Sequence, residues 1–434
     1  MERTGLSVLI SGVFGLFILF AFWIERDDFV LLFSCYSLLF GLYLLLSKKV
    51  NAFSLNRIIV LAILFRLPFL FSTPALSDDV YRFLWDGRLM LEEQNPYLYT
   101  PQDLPLELKV RIDPDQELFD SLNSASYYSV YTPFNQLIFS GVALLGAGNF
   151  QWAMFIYHLI YLLVDVIAIY FLSKVLLLLA MPRSRIAFYA FNPLLIIEAT
   201  GNLHLEGFIF CFLIAAVYSA KSKLAFLWFY AAALLKLVPL VLIPLVLGSK
   251  KRAYYLLAVL APIVVVLSFI PFSGIDGFWM SLSLYFKNFE FNASIYYLAR
   301  ELGFLISGYN MIHWIGPILA GVFILLAIGI AFYRRNERNL LLLLKKASLI
   351  LLAYLLFSTT IHPWYIIPLL GLSLAAGFNF GIVWTYLIFL SYSHYDGADF
   401  QENYIFIALE YVLLFAFILL DLKPNLFKKI AIQG

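Results

Sequence analysis

The sequence predicts an all-α, polytopic helical membrane protein, and three observations carry the prediction. Of 434 residues, 63% are hydrophobic and 13% charged, with mean hydropathy +0.89. A soluble domain needs more charge than that to cover its surface. Apolar runs close to the roughly 20-residue length of a bilayer-crossing helix recur from end to end. The period-two alternation of a β-barrel is absent. The net charge of +2 gives no sign of nucleic-acid binding. Cys35 and Cys211 both fall inside apolar runs and read as small core hydrophobes, with no disulfide between them.

In chain order, the apolar runs lie at 6–24, 29–47, 57–71, 152–178, 186–199, 203–220, 224–235, 237–247, 253–271, 312–333, 344–359, 363–376, 381–394 and 403–421. The first has no small-residue cleavage site behind it, because Glu25-Arg26-Asp27-Asp28 follows directly, so it reads as a retained helix. The runs 224–235 and 237–247 are too short to cross alone and are expected to be half-helices around a buried cavity. The segment 131–147 is either re-entrant or spanning.

Lys and Arg number 29, of which 20 gather at one set of helix ends, including Lys48/Lys49, Arg183/Arg185, Lys221/Lys223, Lys250/Lys251/Arg252, Arg334/Arg335/Arg338 and Lys423/Lys428/Lys429. The positive-inside rule makes those ends cytoplasmic. Both termini are then inside and the span number is even, 14 or 12. The long polar stretches 72–130, 272–311 and 395–402 fall on the exterior side of what reads as a single membrane domain over residues 1–434. Within 72–130, Val80, Phe83, Leu84, Gly87 and Leu91 recur at helical spacing among Arg82, Asp86, Arg88 and Glu92. That pattern predicts an amphipathic helix on the membrane surface, ended by Asn95-Pro96-Tyr97.

Chemistry belongs where polar groups interrupt this apolar background. Leu76-Ser77-Asp78-Asp79 opens the first exterior stretch. Ser77 or Asp78 can serve simply as a helix N-cap, and acids suit a helix N-terminus. Asp78 or Asp79 can also act as a general base toward an acceptor hydroxyl. The pair could hold a divalent cation, although the sequence offers no third ligand. Gly201-Asn202-Leu203-His204-Leu205-Glu206 joins two apolar runs. It is either an exposed turn or a bend that turns His204 and Glu206 toward one cavity. Lys236, deep in an apolar run and followed by Pro239 and Pro244, reads as an anion site at a helix break, with a structural ion pair as its rival. Tyr131-Thr132-Pro133 and His362-Pro363-Trp364-Tyr365 mark helix starts with interfacial aromatics. Asp165 and Glu198 are further acids within apolar runs, and Asp165 reads as structural. There is no Walker loop, metal-spaced His/Cys cluster or Gly-x-Ser-x-Gly elbow.

In this order, the acid pair before a surface helix ending in Asn-Pro-Tyr, Tyr131-Thr132-Pro133, Asn192-Pro193 with Gly201-Asn202, Lys236-Leu237-Val238-Pro239 and His362-Pro363-Trp364-Tyr365 resemble the GT-C glycosyltransferase superfamily. The likeness covers about residues 72–370. It is nearest to polyprenol-phosphate-mannose-dependent mannosyltransferases, including the enzyme that adds the first mannose of GPI anchors. The resemblance implies an inverting sugar transfer on the exterior face from a polyprenyl-phosphate donor to a lipid-linked or glycan acceptor, with membrane lipid around the site. It maps the base to Asp78 or Asp79, with the register through Tyr81 favouring Asp78. It maps the phosphate contact to Lys236. Arg82, Tyr131, His204, Glu206 and His362 complete the expected substrate-binding set. Two rivals remain: a lipid or sugar flippase using Lys236, Asp165 and Glu206 as intramembrane charges, and a polysaccharide polymerase with a diphosphate-linked donor. The first expects internal repeats and the second an arginine-rich exterior loop, and neither feature is present in the sequence.

Overall fold

A computed structural model describes residues 2–50, 53–247, 252–337, 339–396 and 400–422. Helices α1 (Glu2–Phe22) and α2 (Phe29–Lys49) pack as an antiparallel pair. Asp28 caps α2 by accepting the Leu31 amide at 3.0 Å, and Lys48 and Lys49 in its last turn complement the helix dipole. Helix α3 (Leu55–Arg66) passes into a 3₁₀ stretch, Leu67–Phe71. The predicted span 57–71 is therefore broken at Pro68, which cannot donate to the α-helical ladder.

The long polar stretch that follows is partly helical. It contains α4 (Asp79–Leu91), α5 (Leu106–Ile112) and α6 (Glu117–Asp120). Helix α4 is present and buries Val80, Phe83, Leu84 and Gly87, but it departs from the predicted amphipathic division: Arg82 and Asp86 are buried as an ion pair, and Leu91 is exposed. It lies along α7 (Pro133–Gly146). The two approach so closely at Gly87 that a Cβ there would meet the Phe139 carbonyl oxygen at 2.4 Å. Helix α8 (Phe150–Leu178) is the longest single apolar helix, and α9 (Ser184–Ala190) follows it. Asn192-Pro193 ends α9, a π-helical turn spans Leu195–Gly201, and the chain bends by 107° into α10 (Glu206–Tyr218).

Helix α11 (Leu224–Leu235) stops at Lys236, whose backbone is extended (φ −153°, ψ 146°). A 3₁₀ stretch (Val238–Leu242) and α12 (Ile243–Leu247) continue the run. The predicted break within 224–247 is present. Then come α13 (Arg252–Ser268), α14 (Asp276–Asn288), α15 (Ile295–Ser307), α16 (Ile312–Phe332) and α17 (Leu340–Phe357). A 3₁₀ turn (Pro363–Tyr365) leads into α18 (Ile366–Ala376). Helix α19 (Phe380–Leu387), with its 3₁₀ extension Ile388–Tyr395, and α20 (Tyr404–Leu422) complete the described chain.

Among the described residues, six helices are long and apolar enough to cross a membrane, or seven if the bent pair around residue 202 counts as one span. The rest of the 12 to 14 predicted spans are shorter or broken helices, such as α11, α12 and α18. Sequence hydropathy cannot tell a full span from two half-helices covered by protein, because both bury apolar runs. The predicted basic ends at Lys250/Lys251, Arg338 and Lys423/Lys428/Lys429, and residues 397–399 of the last loop, lie outside the described residues. Cys35 and Cys211 are both free thiols.

A buried polar knot ties the helices behind the site. Arg66 Nε donates to Asp165 Oδ2 at 2.9 Å, while Arg66 Nη1 donates to the carbonyls of Ala62 and Ala190, each at 2.9 Å. Thr200 adds a hydrogen bond to the same Asp165 oxygen at 3.0 Å. Asp165 is structural, as its sequence context suggested.

Candidate active site

Five separate stretches of chain bring the predicted polar groups to one cavity of about 1230 Å³. All eight predicted site residues line it: Asp78, Asp79, Arg82, Tyr131, His204, Glu206, Lys236 and His362.

The two carboxylates have different partners. Asp78 occupies the N-cap position of α4, but its side chain makes no capping hydrogen bond. It accepts instead from Arg26 Nη2 at 2.7 Å. Arg26, from the turn between α1 and α2, also lies over the Tyr395 ring, 5.4 Å from its centroid. Asp79 begins α4, where the helix dipole favours a negative charge. Its side chain, 31% exposed, opens on the cavity, and Oδ2 lies 3.9 Å from His204 Nδ1. Enclosure by the cavity wall raises the Asp79 carboxyl above its usual pKa; the Lys236 charge and a hydrogen bond from Asn123 pull the other way.

The loop carrying both acids is pinned from behind. The Leu76 amide donates to Asn202 Oδ1 at 3.0 Å, and the Asp79 amide donates to Ser77 Oγ at 3.4 Å. Asn202 belongs to the 107° bend, where Leu203 takes a left-handed backbone (φ 62°). The bend is buried, which excludes the exposed-turn reading: His204 and Glu206 are 3% and 4% exposed. His204 stacks on Trp364 with ring centroids 3.6 Å apart, and Trp364 in turn stacks on His362 at 4.5 Å. Burial, with Lys236 nearby, pushes the His362 imidazole down to about 3, so it is neutral at ordinary pH.

Lys236 exists as a cavity residue because α11 stops there. The carbonyls freed at the end of α11 are taken by α7: the Thr132 hydroxyl donates to Leu234 O, and Asn135 Nδ2 donates to Leu235 O at 2.7 Å. The ammonium then meets Glu206 Oε1 at 2.5 Å and lies 4.4 Å from the Tyr365 ring centroid. The ion pair anticipated as a rival to anion binding is real. It stands inside the cavity, however, alongside Asp79.

Tyr131 lines the cavity edge-on to Phe83 and Phe139, at 5.0 and 5.3 Å. Arg82 has a different setting from the one expected of a substrate contact. Its Nε donates to Asp86 at 2.7 Å and its Nη1 to the carbonyls of Tyr127 and Ser124 at 2.8 and 3.3 Å. It holds the 124–127 loop over the cavity. On the far side, Phe291 and Thr360 form an isolated parallel bridge that anchors the segment leading to His362.

Several residues at the site carry no distinctive motif. Arg26 is one of four charges in a short turn between two spans, Asn123 lies in an unremarkable polar stretch, and Phe291 is one of 43 phenylalanines. Among the described residues, no group of three or more His, Cys, Asp or Glu side chains is placed to hold a metal ion.

No curated protein and no solved structure matches the chain. A family model does: that of the MptA_B family, described as the N-terminal domain of alpha-(1->6)-mannopyranosyltransferases, which matches residues 7–267. The match takes in the acid pair, the bend with His204 and Glu206, and Lys236. Covering about three-fifths of the 434 residues, it makes the chain a member of this mannosyltransferase family.

Proposed function

We propose that the protein transfers a mannosyl group from a polyprenyl-phosphate donor to a lipid-linked or glycan acceptor, with inversion, on the exterior membrane face. The observation that carries the reading is the convergence of Asp79 with the Lys236–Glu206 pair in one cavity. Asp79 is the general base. It takes the acceptor hydroxyl proton as the new bond to the sugar C1 forms and the bond from C1 to the phosphate oxygen breaks. Lys236 binds the donor phosphate and stabilises the charge that polyprenyl phosphate carries away. Glu206 holds the ammonium in place in the meantime.

The cavity's composition supports a lipid-linked donor. One side of its wall is apolar, built by Val238 and Val241 of the 3₁₀ stretch and by Pro317, Ala320 and Phe323 of α16. Such a wall suits a hydrocarbon tail and would be wasted on a nucleotide. Asp78, tied to Arg26, is less available as the base than Asp79, a reversal of the assignment that the register through Tyr81 favours.

The test is a donor panel on purified protein in lipid nanodiscs. Polyprenyl-phosphate mannose should yield elongated acceptor and free polyprenyl phosphate, whereas GDP-mannose should yield neither. Equal or better turnover of GDP-mannose would overturn the lipid-donor assignment.

A further inference from the structure

Behind the reacting groups lies a buried acid that the transfer reaction itself does not use. Glu198 is fully buried in the π-helical turn, a local irregularity that recurs at functional sites. Its Oε1 accepts from the Tyr392 hydroxyl at 2.5 Å, and its Oε2 accepts from Asn202 Nδ2 at 3.3 Å. The same Oε2 lies 3.5 Å from His204 Nε2, which is buried and has no hydrogen-bond partner. Two routes therefore lead from this one carboxylate to the acid pair. The first runs through the His204 ring, whose other nitrogen lies 3.9 Å from Asp79 Oδ2. The second runs through Asn202, whose carbonyl oxygen holds the Leu76 amide three residues before Asp79.

We infer that Glu198 is a positioning residue for the transfer site: through His204 and Asn202 it orients Asp79 and the backbone that carries it. The inference rests on Asp79 being the base. With Nε2–H directed at Glu198, the Nδ1 lone pair of His204 faces Asp79. There it accepts a hydrogen bond from the Asp79 carboxyl once that group has taken the acceptor proton, and the proton then leaves Asp79 through its side open to the cavity. Distances of 3.5 and 3.9 Å are longer than hydrogen bonds. Such contacts commonly tighten once substrate fills a site. The stack of His204 on Trp364 fixes the ring plane and leaves in-plane movement open. The charged and titratable groups around this line are Asp78, Glu206, Lys236 and His362.

Glu198→Gln tests the idea, because glutamine keeps the volume and puts an amide in place of the carboxyl group that His204 Nε2 and Asn202 Nδ2 both face. We expect kcat to fall roughly 10- to 100-fold, the range typical of a residue that orients a functional group from behind. KM for the donor should stay within about twofold, since Lys236 is untouched. The expected signature is non-additivity. His204→Phe preserves the ring stack, and Glu198→Gln added to it should cost less than Glu198→Gln costs alone, since only the Asn202 route is left to disturb. Wild-type kcat in Glu198→Gln, or a full additional penalty in the double variant, would overturn the inference. Asp79→Asn, assayed in parallel, separates the two ideas. If it is inactive while Glu198→Gln is normal, only the positioning role fails. If Asp79→Asn is itself active, the general-base reading fails.

Discussion

At the scale of single residues, adjacent carboxylates of the same chemical type are set apart by what surrounds them. Asp78 faces a guanidinium at 2.7 Å, and Asp79 faces an imidazole, an amide and an ammonium across a cavity. Because enclosure raises the Asp79 pKa, the base form is lost as pH falls through a value above that of an ordinary aspartate. The acid limb of kcat/KM should therefore lie above about pH 4. Lys236 lowers the Asp79 pKa. Lys236→Met should thus move that limb to still higher pH, besides weakening donor binding more than acceptor binding. A pH–rate series on both proteins checks this, and a limb that stays put or moves down in Lys236→Met would contradict it. The sequence alone shows that acids, histidines and a lysine interrupt apolar runs, because each such interruption costs free energy and so marks a site. It does not show which aspartate is the base, since that depends on Arg26, 52 residues away.

At the scale of elements, the site depends on helices that stop or bend. Helix α11 ends at Lys236 because Thr132 and Asn135 supply the partners its last carbonyls need. The bend after Gly201 turns two neighbouring apolar runs into a corner that presents His204 and Glu206. Pro239 makes the break after α11 legible in the sequence, whereas the breaks at Pro68 and Pro193 fall inside apolar runs that read as continuous. The 107° angle is not legible, because it is set by packing between distant segments. Two substitutions probe this level. Gly87→Ala would drive a methyl into the Phe139 carbonyl and should separate α4 from α7, costing about 1–3 kcal/mol. Arg66→Met would strand Asp165 in the core and should cost about 3–5 kcal/mol. Thermal unfolding in detergent reads both. An unchanged midpoint in either would mean that the packing described is not a determinant of stability.

At the scale of the whole molecule, the chain gathers contacts from widely separated segments around one cavity, with Arg26 near one end of the sequence and Tyr395 near the other. The hydrophobic pattern alone makes the all-helical membrane class plain, but it overstates the number of full-length spans, because protein-covered half-helices carry the same apolar signal. If α11 and α12 form a broken hairpin, the basic clusters on either side of 224–247 share the cytoplasmic face. In a Cys35/Cys211-replaced background, cysteines at Ser222 and at Ser249, which is outside the described residues, should then both label from the cytoplasmic side. Labelling from opposite sides would refute the hairpin and reopen the flippase reading. The central claim is that this cavity performs a base-assisted mannosyl transfer at Asp79. It is tested most directly by single-turnover transfer from polyprenyl-phosphate mannose in Asp79→Asn and Asp78→Asn, with donor binding measured alongside. The account predicts that Asp79→Asn still binds donor but loses transfer by roughly 100-fold or more, within the range for a positioned general base, while Asp78→Asn loses less. Near-normal transfer in Asp79→Asn would contradict it.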